Sequence, residues 1–290
     1  MARKSTTFSK TQSLRNRFYQ TLPGKESLVK TLNEAEVYEH VYHSNAIENS
    51  TLSLEETEKI LLEIDLERFV SVREIHEAKN LARVTSYIET KSISEEISKE
   101  LILLLHNMLI GNIDEKIAGR FRKDNEWVRV GSYVAPPPTE IISLVSSLIS
   151  SYLADKSTHI ISKIAKFHLE FEHIHPFCDG NGRIGRVLNN FLIMREGYVP
   201  INITFTDRAR YYDAFREYYQ DGSIKIMEEI VGRALLLSYH KRLAYLEAKS
   251  IITLSDYAKK SKDSYSNLLN KAKRQTIEAF QEKGEWKIAE

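Results

Sequence analysis

HPFCDGNGRIGR, residues 175–186, is the stretch on which the reading of this chain turns. It packs three glycines, two arginines, a histidine, an aspartate and an asparagine between two helical patterns, STHIISKIAKFHLEFEHI before it and GRVLNNFLIMREG after it. A glycine-rich turn that opens a helix offers unpaired backbone N–H groups and the positive end of the helix dipole, which together suit an anion. Gly180 and Gly182 remove side chains that would hold phosphate oxygens off the backbone, and Asn181 adds a side-chain amide. Arg183 and Arg186 are about one helical turn apart, so both can face one polyanion. Asp179 can hold a divalent cation between phosphates, because magnesium favours one or two carboxylates plus substrate oxygens. His175 suits a general base at neutral pH. Pro176 and Phe177 fit a fixed turn above an apolar anchor. The parts together suit in-line displacement on a nucleotide phosphate. A Walker P-loop is excluded, since no Gly-Lys-Ser/Thr follows the glycines. A metal site made of His173, His175 and Cys178 is the weaker alternative, because no second ligand cluster accompanies it.

Around this motif the chain reads as helical. LNEAEVYEHVYHSNAIE spaces Leu32, Ala35, Val37 and Val41 on one face and stops at Asn49-Ser50. Ser53 and Glu56 form a capping box that opens SLEETEKILLEI. VREIHEAKNLARVTSYIE and SEEISKELILLLHNMLI are amphipathic, and Gly111-Asn112 ends the second. AGRFRKDNEWVRVGSYVAPPP differs: alternating Trp127, Val128, Val130 and Tyr133, then three prolines, predict a short hairpin and a polyproline turn. PTEIISLVSSLISSYLAD, DRARYYDAFREYYQ and IKIMEEIVGRALLLSYHKRLAYLEA are further helices. The fold class is all-α with one small hairpin. With 41 Lys+Arg against 40 Asp+Glu in 290 residues, charge makes no global case for nucleic acid. The lone cysteine, Cys178, allows no intrachain disulfide and fits a reducing compartment. The N-terminus lacks a signal-peptide core and no apolar run would span a bilayer. The expectation is a cytoplasmic protein with no membrane partner.

HPFCDGNGRIGR resembles, at every position, the signature of the Fic family. The resemblance extends to FHLEFEHI, to VLNNFLIMREGY and to GRFRKDNEWVRVGSYVAPPP, which is similar to the family's substrate-positioning flap. It implies a Fic-type helical bundle and transfer of AMP from ATP to a Ser, Thr or Tyr hydroxyl of a target protein, with pyrophosphate released. On that resemblance His175 deprotonates the hydroxyl and Asp179 holds Mg2+ across the α- and β-phosphates. Gly180, Asn181 and Gly182 form the anion hole, with Asn181 at the α-phosphate, and Arg183 and Arg186 grip the outer phosphates. The intact Gly-Asn-Gly favours adenylyl transfer. Tyr211 and Tyr212 resemble the family's adenine-side residues, though as residues alone they read equally well as helix core.

SNAIEN, residues 44–49, is by itself a helix end with Glu48 one turn after Ser44. Beside the full signature it resembles the family's inhibitory-helix motif, placed N-terminal to the core. A carboxylate paired with Arg186 would withhold the guanidinium that the γ-phosphate needs. The same glutamate can orient a water for AMP removal. The expected segments are 1–94, an N-terminal helical region with the inhibitory helix; 95–245, the Fic catalytic core; and 250–290, a winged-helix-like C-terminal domain. In the last, LSDYAKK and SYSNLLNKAKRQ read as a helix-turn-helix followed by a wing ending in EWKI. Lys271, Lys273 and Arg274 could meet DNA phosphates, with Glu278, Glu282 and Glu285 diluting the charge. The alternative function is therefore a DNA-binding regulator whose Fic body senses nucleotide. The sequence is compatible with a homo-oligomer and names no target protein.

Overall fold

The structure, a computed structural model, describes residues 2–131 and 133–290. Among them are twelve α-helices and two small sheets. The chain divides into two compact units. One comprises Val37–Tyr198 and Ile203–Ile230, the other Met1–Glu36, Val199–Asn202 and Val231–Glu290. Two long helices, α2 (Glu26–Ile47) and α10 (Lys225–Leu246), supply residues to both.

The first unit is built around α7 (Ile160–Ile174) and α8 (Asn181–Arg195), which pack on each other. Both helices are almost wholly buried, and they bury polar side chains such as Glu172, Asn181, Arg183, Arg186 and Asn190 along with their apolar ones, which marks them as the central, site-bearing pair. Around them lie α4 (Val72–Lys91), α5 (Lys99–Ile110), α6 (Ile141–Ala154) and α9 (Arg208–Asp221). The short α3 (Leu54–Leu61) rests on α4. Ser53 caps α3 as the sequence predicts: its Oγ accepts from the Glu56 amide at 3.1 Å, and its own amide donates to Glu56 Oε2 at 2.7 Å. α5 begins later than its apolar pattern, because Ser98 takes the N-cap by accepting from the Leu101 amide.

The hairpin is present and short. β1 (Arg129–Val130) pairs antiparallel with β2 (Tyr133–Val134), and a 3-10 turn at Pro138–Glu140 leads into α6. Tyr133 pins it: its hydroxyl lies 2.9 Å from His173 Nε2 and its ring stacks on Tyr219 at 4.4 Å.

The second unit contains α1 (Ala2–Thr21), which the sequence reading did not anticipate. Its helical signal is faint, since the buried apolar contacts come chiefly from Leu14 and Phe18. Arg17 anchors it with a two-pronged bond to Glu247 at 2.5 and 2.6 Å. The C-terminal segment folds as β3 (Ile251–Thr253), α11 (Leu254–Ser261), α12 (Tyr265–Lys273), β4 (Ala279–Glu282) and β5 (Glu285–Ala289), with strand order β3-β5-β4. This is the winged helix-turn-helix arrangement, closed over Leu254, Leu268, Ala272 and Ile288. Lys259, Lys260 and Lys271 pair with Asp256, Glu290 and Asp263. These ion pairs give the DNA-binding alternative no support.

Candidate active site

The loop from His175 to Gly180 is shaped by two left-handed residues. His175 ends α7 at φ 48°, and Gly180 precedes α8 at φ 81°. The left-handed backbone favours glycine at 180, and a Cβ there would also crowd Ile110 at 3.1 Å. Arg122, only 2 % exposed, closes the end of α7. Its guanidinium donates to the carbonyls of His175 (2.8 Å), Glu126 (2.9 Å) and Pro136 (3.0 Å). A cation on the carbonyl end of a helix is favoured by the helix dipole.

Asn181 works inside the loop. Its Oδ1 accepts from the Phe177 amide at 2.9 Å and its Nδ2 donates to the Phe177 carbonyl at 2.8 Å. Phe177 is fully buried and stacks on His106 at 3.7 Å. His106 Nδ1 accepts from the Gly119 amide, which leaves Nε2 to donate to the Asp179 carbonyl, both at 3.0 Å. Burial pushes the His106 imidazole down to about 4, so it is neutral in this role.

Glu48, Arg73, Glu77, His175, Asp179 and Arg183 line a cleft of about 430 Å³ over the start of α8. Arg73, Glu77, Arg183 and Asp179 form a closed ring of alternating charge. Arg73 donates to Asp179 Oδ2 at 2.5 Å and to Glu77 at 3.1 Å. Arg183 reaches Glu77 at 2.9 Å and Asp179 Oδ1 at 3.0 Å. Burial raises the Asp179 carboxyl, but Arg183 and Arg73 outweigh it and hold the group below its ordinary value.

Arg186 points elsewhere. It is 3 % exposed. Its Nε donates to Ser44 Oγ at 2.9 Å, and its Nη2 donates to the Ser44 carbonyl at 2.8 Å and to Glu48 Oε1 at 2.9 Å. Nη1 donates to the Tyr211 hydroxyl at 3.1 Å. Glu48 comes so close to α8 that a Cβ on Gly182 would lie 2.1 Å from its Oε1. The absent side chain of Gly182 is thus the seat of the Glu48 carboxylate.

His175, Asp179, Gly180, Asn181, Gly182, Arg183 and Glu48 therefore share one cleft, and Ser44 and Arg186 lie beneath it. Tyr211 is 1 % exposed and supports Arg186, with its hydroxyl 2.7 Å from His168 Nε2. Tyr212 donates to the Ile47 carbonyl at 3.3 Å, and Arg208 lies over its ring. Cys178 is half-buried at the cleft wall. Among the described residues no group of three or more His, Cys, Asp or Glu could hold a metal ion.

Sequence reasoning missed Arg73, Glu77, Arg122 and Glu172. Arg73 and Glu77 look like a routine i,i+4 surface pair; only the fold turns them to the cleft. Glu172 had a signal, a carboxylate one turn before His175.

The Fic/DOC family profile matches residues 96–193. Those residues form a Fic/DOC domain. The chain is 32 % identical over 240 residues to the protein adenylyltransferase Fic of Drosophila willistoni, covering 78 % of this chain and 47 % of that protein. Identity to the Drosophila melanogaster protein of the same name is 30 % over 238 residues, covering 78 % and 48 %. The chain spans about half the length of these curated relatives. Among solved structures, Fic-1 of C. elegans superposes with a TM-score of 0.70 at 26 % identity, over 85 % of this chain and 74 % of that one. A Fic-domain signaling protein of Bacteroides thetaiotaomicron shares the fold at TM-score 0.73 and 22 % identity, over 83 % and 97 %. No helix among the described residues is long and apolar enough to cross a membrane.

Proposed function

We propose that this Fic protein is an autoinhibited adenylyltransferase that moves AMP from ATP to a hydroxyl side chain of a target protein. The observation that carries the reading is the Glu48 contact: one carboxylate holds Arg186 and fills the niche over Gly182. Arg186, Gly182 and the start of α8 are the parts a polyphosphate would use. A built-in anion at that place acts as a competitor for the nucleotide.

His175 lines the cleft, and burial pushes its imidazole down to about 4. It is therefore an unprotonated base at neutral pH. It takes the proton of the target hydroxyl; the oxygen attacks the α-phosphorus, and the bond to pyrophosphate breaks. Gly180 and Gly182 give the phosphate close access to the backbone at the dipole end of α8. Asn181 keeps the loop in shape through Phe177. Arg183 and Arg186 serve the outer phosphates once their carboxylate partners let go.

Asp179 fits magnesium: it is a cleft carboxylate with a side chain 34 % exposed, and one carboxylate is the usual protein share of a magnesium–nucleotide site. Bound there, the ion supplies charge neutralisation to phosphate oxygens. Arg73 and Arg183 now lie on both Asp179 oxygens, so Arg73, the exposed one, is the residue that yields. Glu48 could also orient water for AMP removal. The lone cysteine suits a cytoplasmic setting, and the hairpin at 129–134 suits the target-positioning flap.

The test is incorporation of labelled ATP into protein with magnesium. His175→Ala should lose it while nucleotide affinity stays nearly the same. Labelling by His175→Ala at the parent rate would overturn the assignment. Mass spectrometry of cell extract treated with ATP and Glu48→Gly protein would name the target.

A further inference from the structure

Glu172 is a buried carboxyl with no part in the steps above. It sits on the last turn of α7 and is 7 % exposed. Its Oε1 has no hydrogen-bond partner among the described residues. That oxygen faces Gly185, where a Cβ would lie 2.8 Å away. Burying a carboxyl this incompletely satisfied costs stability, and an apolar side chain would be the cheaper filler. The position therefore calls for another reason.

The reason lies on the other oxygen. Glu172 Oε2 is 3.6 Å from His175 Nδ1, and the Glu172 main-chain carbonyl is 3.4 Å from the same nitrogen. Two oxygens of one residue thus converge on one ring nitrogen. We propose that Glu172 is a positioning residue for His175: it keeps the proton on Nδ1 and leaves Nε2 as the bare nitrogen that receives the hydroxyl proton.

A neutral imidazole has one donor and one acceptor nitrogen, and the partner of one decides the state of the other. A bare Nδ1 would turn its lone pair on two oxygens; a protonated Nδ1 points a donor at both. Distances of this length are usual for catalytic pairs before substrate arrives, and they tighten in the working complex. The left-handed backbone of His175 folds the ring back toward its own helix end, and glycine at 185 leaves room for the carboxyl. Burial, and then Glu48, push the Glu172 carboxyl up to about 8. A protonated carboxyl can still accept through its carbonyl oxygen, and the Glu172 main-chain carbonyl, which can only accept, calls for a donor on Nδ1 in either state.

The inference rests on His175 acting as the base, and the experiment separates the two. The full chain carrying 15N-histidine is examined by NMR at neutral pH, with the His175 signals identified by their loss in His175→Ala. Wild type and Glu172→Gln should show Nδ1 protonated and Nε2 bare. Glu172→Leu should gain the opposite tautomer severalfold. In a Glu48→Gly background, Glu172→Leu should lower kcat for labelling by about tenfold or more with KM for ATP unchanged. Glu172→Gln should restore most of that loss. A wild-type His175 bare at Nδ1 overturns the proposal without any variant. So does a folded Glu172→Leu protein with the parent tautomer ratio and the parent kcat. If no form of the chain labels protein, the enzymatic reading fails, and the tautomer measurement still decides the role of Glu172.

Discussion

Replacing Glu48 by glycine should raise AMP transfer, including self-modification. The contact removed is a charge-assisted hydrogen bond from Arg186 Nη2 at 2.9 Å. Such bonds contribute about 1.5–3 kcal/mol. The lower end applies here, because the Glu48 side chain is 34 % exposed and water screens it. Arg186 also keeps its bonds to Ser44 and Tyr211 in the variant, so the guanidinium is not wholly released. About 1.5 kcal/mol corresponds to a gain of about tenfold in rate. Clearing the carboxylate from its seat over Gly182 acts in the same direction. The assay is incorporation of labelled ATP by wild type and Glu48→Gly at equal concentration, on itself and on an identified target. The gain should need Arg186, so Glu48→Gly with Arg186→Ala should fall back to low activity. Equal or lower incorporation by a properly folded Glu48→Gly protein would show that this carboxylate is not the brake.

Asp179→Ala should abolish most transfer and its dependence on magnesium; unchanged magnesium–ATP binding by calorimetry would put the metal elsewhere. Arg73→Ala should do the reverse, lowering the magnesium concentration for half-maximal nucleotide binding, because the competing cation on Asp179 Oδ2 is gone; an unchanged requirement refutes the competition. Glu172→Gln should gain stability relative to wild type as pH rises from about 4.5 to about 8. The folded state holds this proton more tightly than the unfolded chain, so wild type loses stability across that window, by an amount on the order of a few kcal/mol. Urea unfolding of both proteins at the two ends of the window checks it, and a constant difference would refute the buried neutral carboxyl. Phe177→Ala should cost about 3–5 kcal/mol of unfolding free energy, as expected for emptying a fully buried ring site; a loss below about 1 kcal/mol would mean that the loop does not hang on this anchor.

Much of the site was legible because its residues are neighbours in the chain. His175 to Arg186 form one loop and the first turns of one helix, so their types alone suggested an anion site. The Ser44–Arg186 and Glu48–Arg186 contacts span 142 and 138 positions. No periodicity reports such a contact, and only the resemblance of SNAIEN to a family motif pointed to it. Arg183 and Arg186 illustrate the limit of spacing arguments. One turn apart on α8, they are taken by different carboxylates, because α4 supplies Glu77 to one and the turn just after α2 supplies Glu48 to the other. Asn181 and Tyr211 show the same limit: the sequence lists their polar groups, but packing decides that one staples Phe177 and the other props Arg186. In the fold, helices with a strong cap or an apolar stripe were readable, whereas α1 was not, since it carries few buried apolar residues.

The vacancy over Gly182 makes release of the brake a lopsided genetic problem. A methyl group at 182 would stand 2.1 Å from the Glu48 carboxylate and would evict it. On the proposed function it would also stand where a phosphate oxygen must rest. The niche has two alternative tenants, and any change to its floor turns both out. Gain-of-function alleles should therefore accumulate at Glu48, just past the end of α2, where a substitution removes one tenant and leaves the room intact. Selection for unrestrained activity from a randomised library should return such alleles and none at 182.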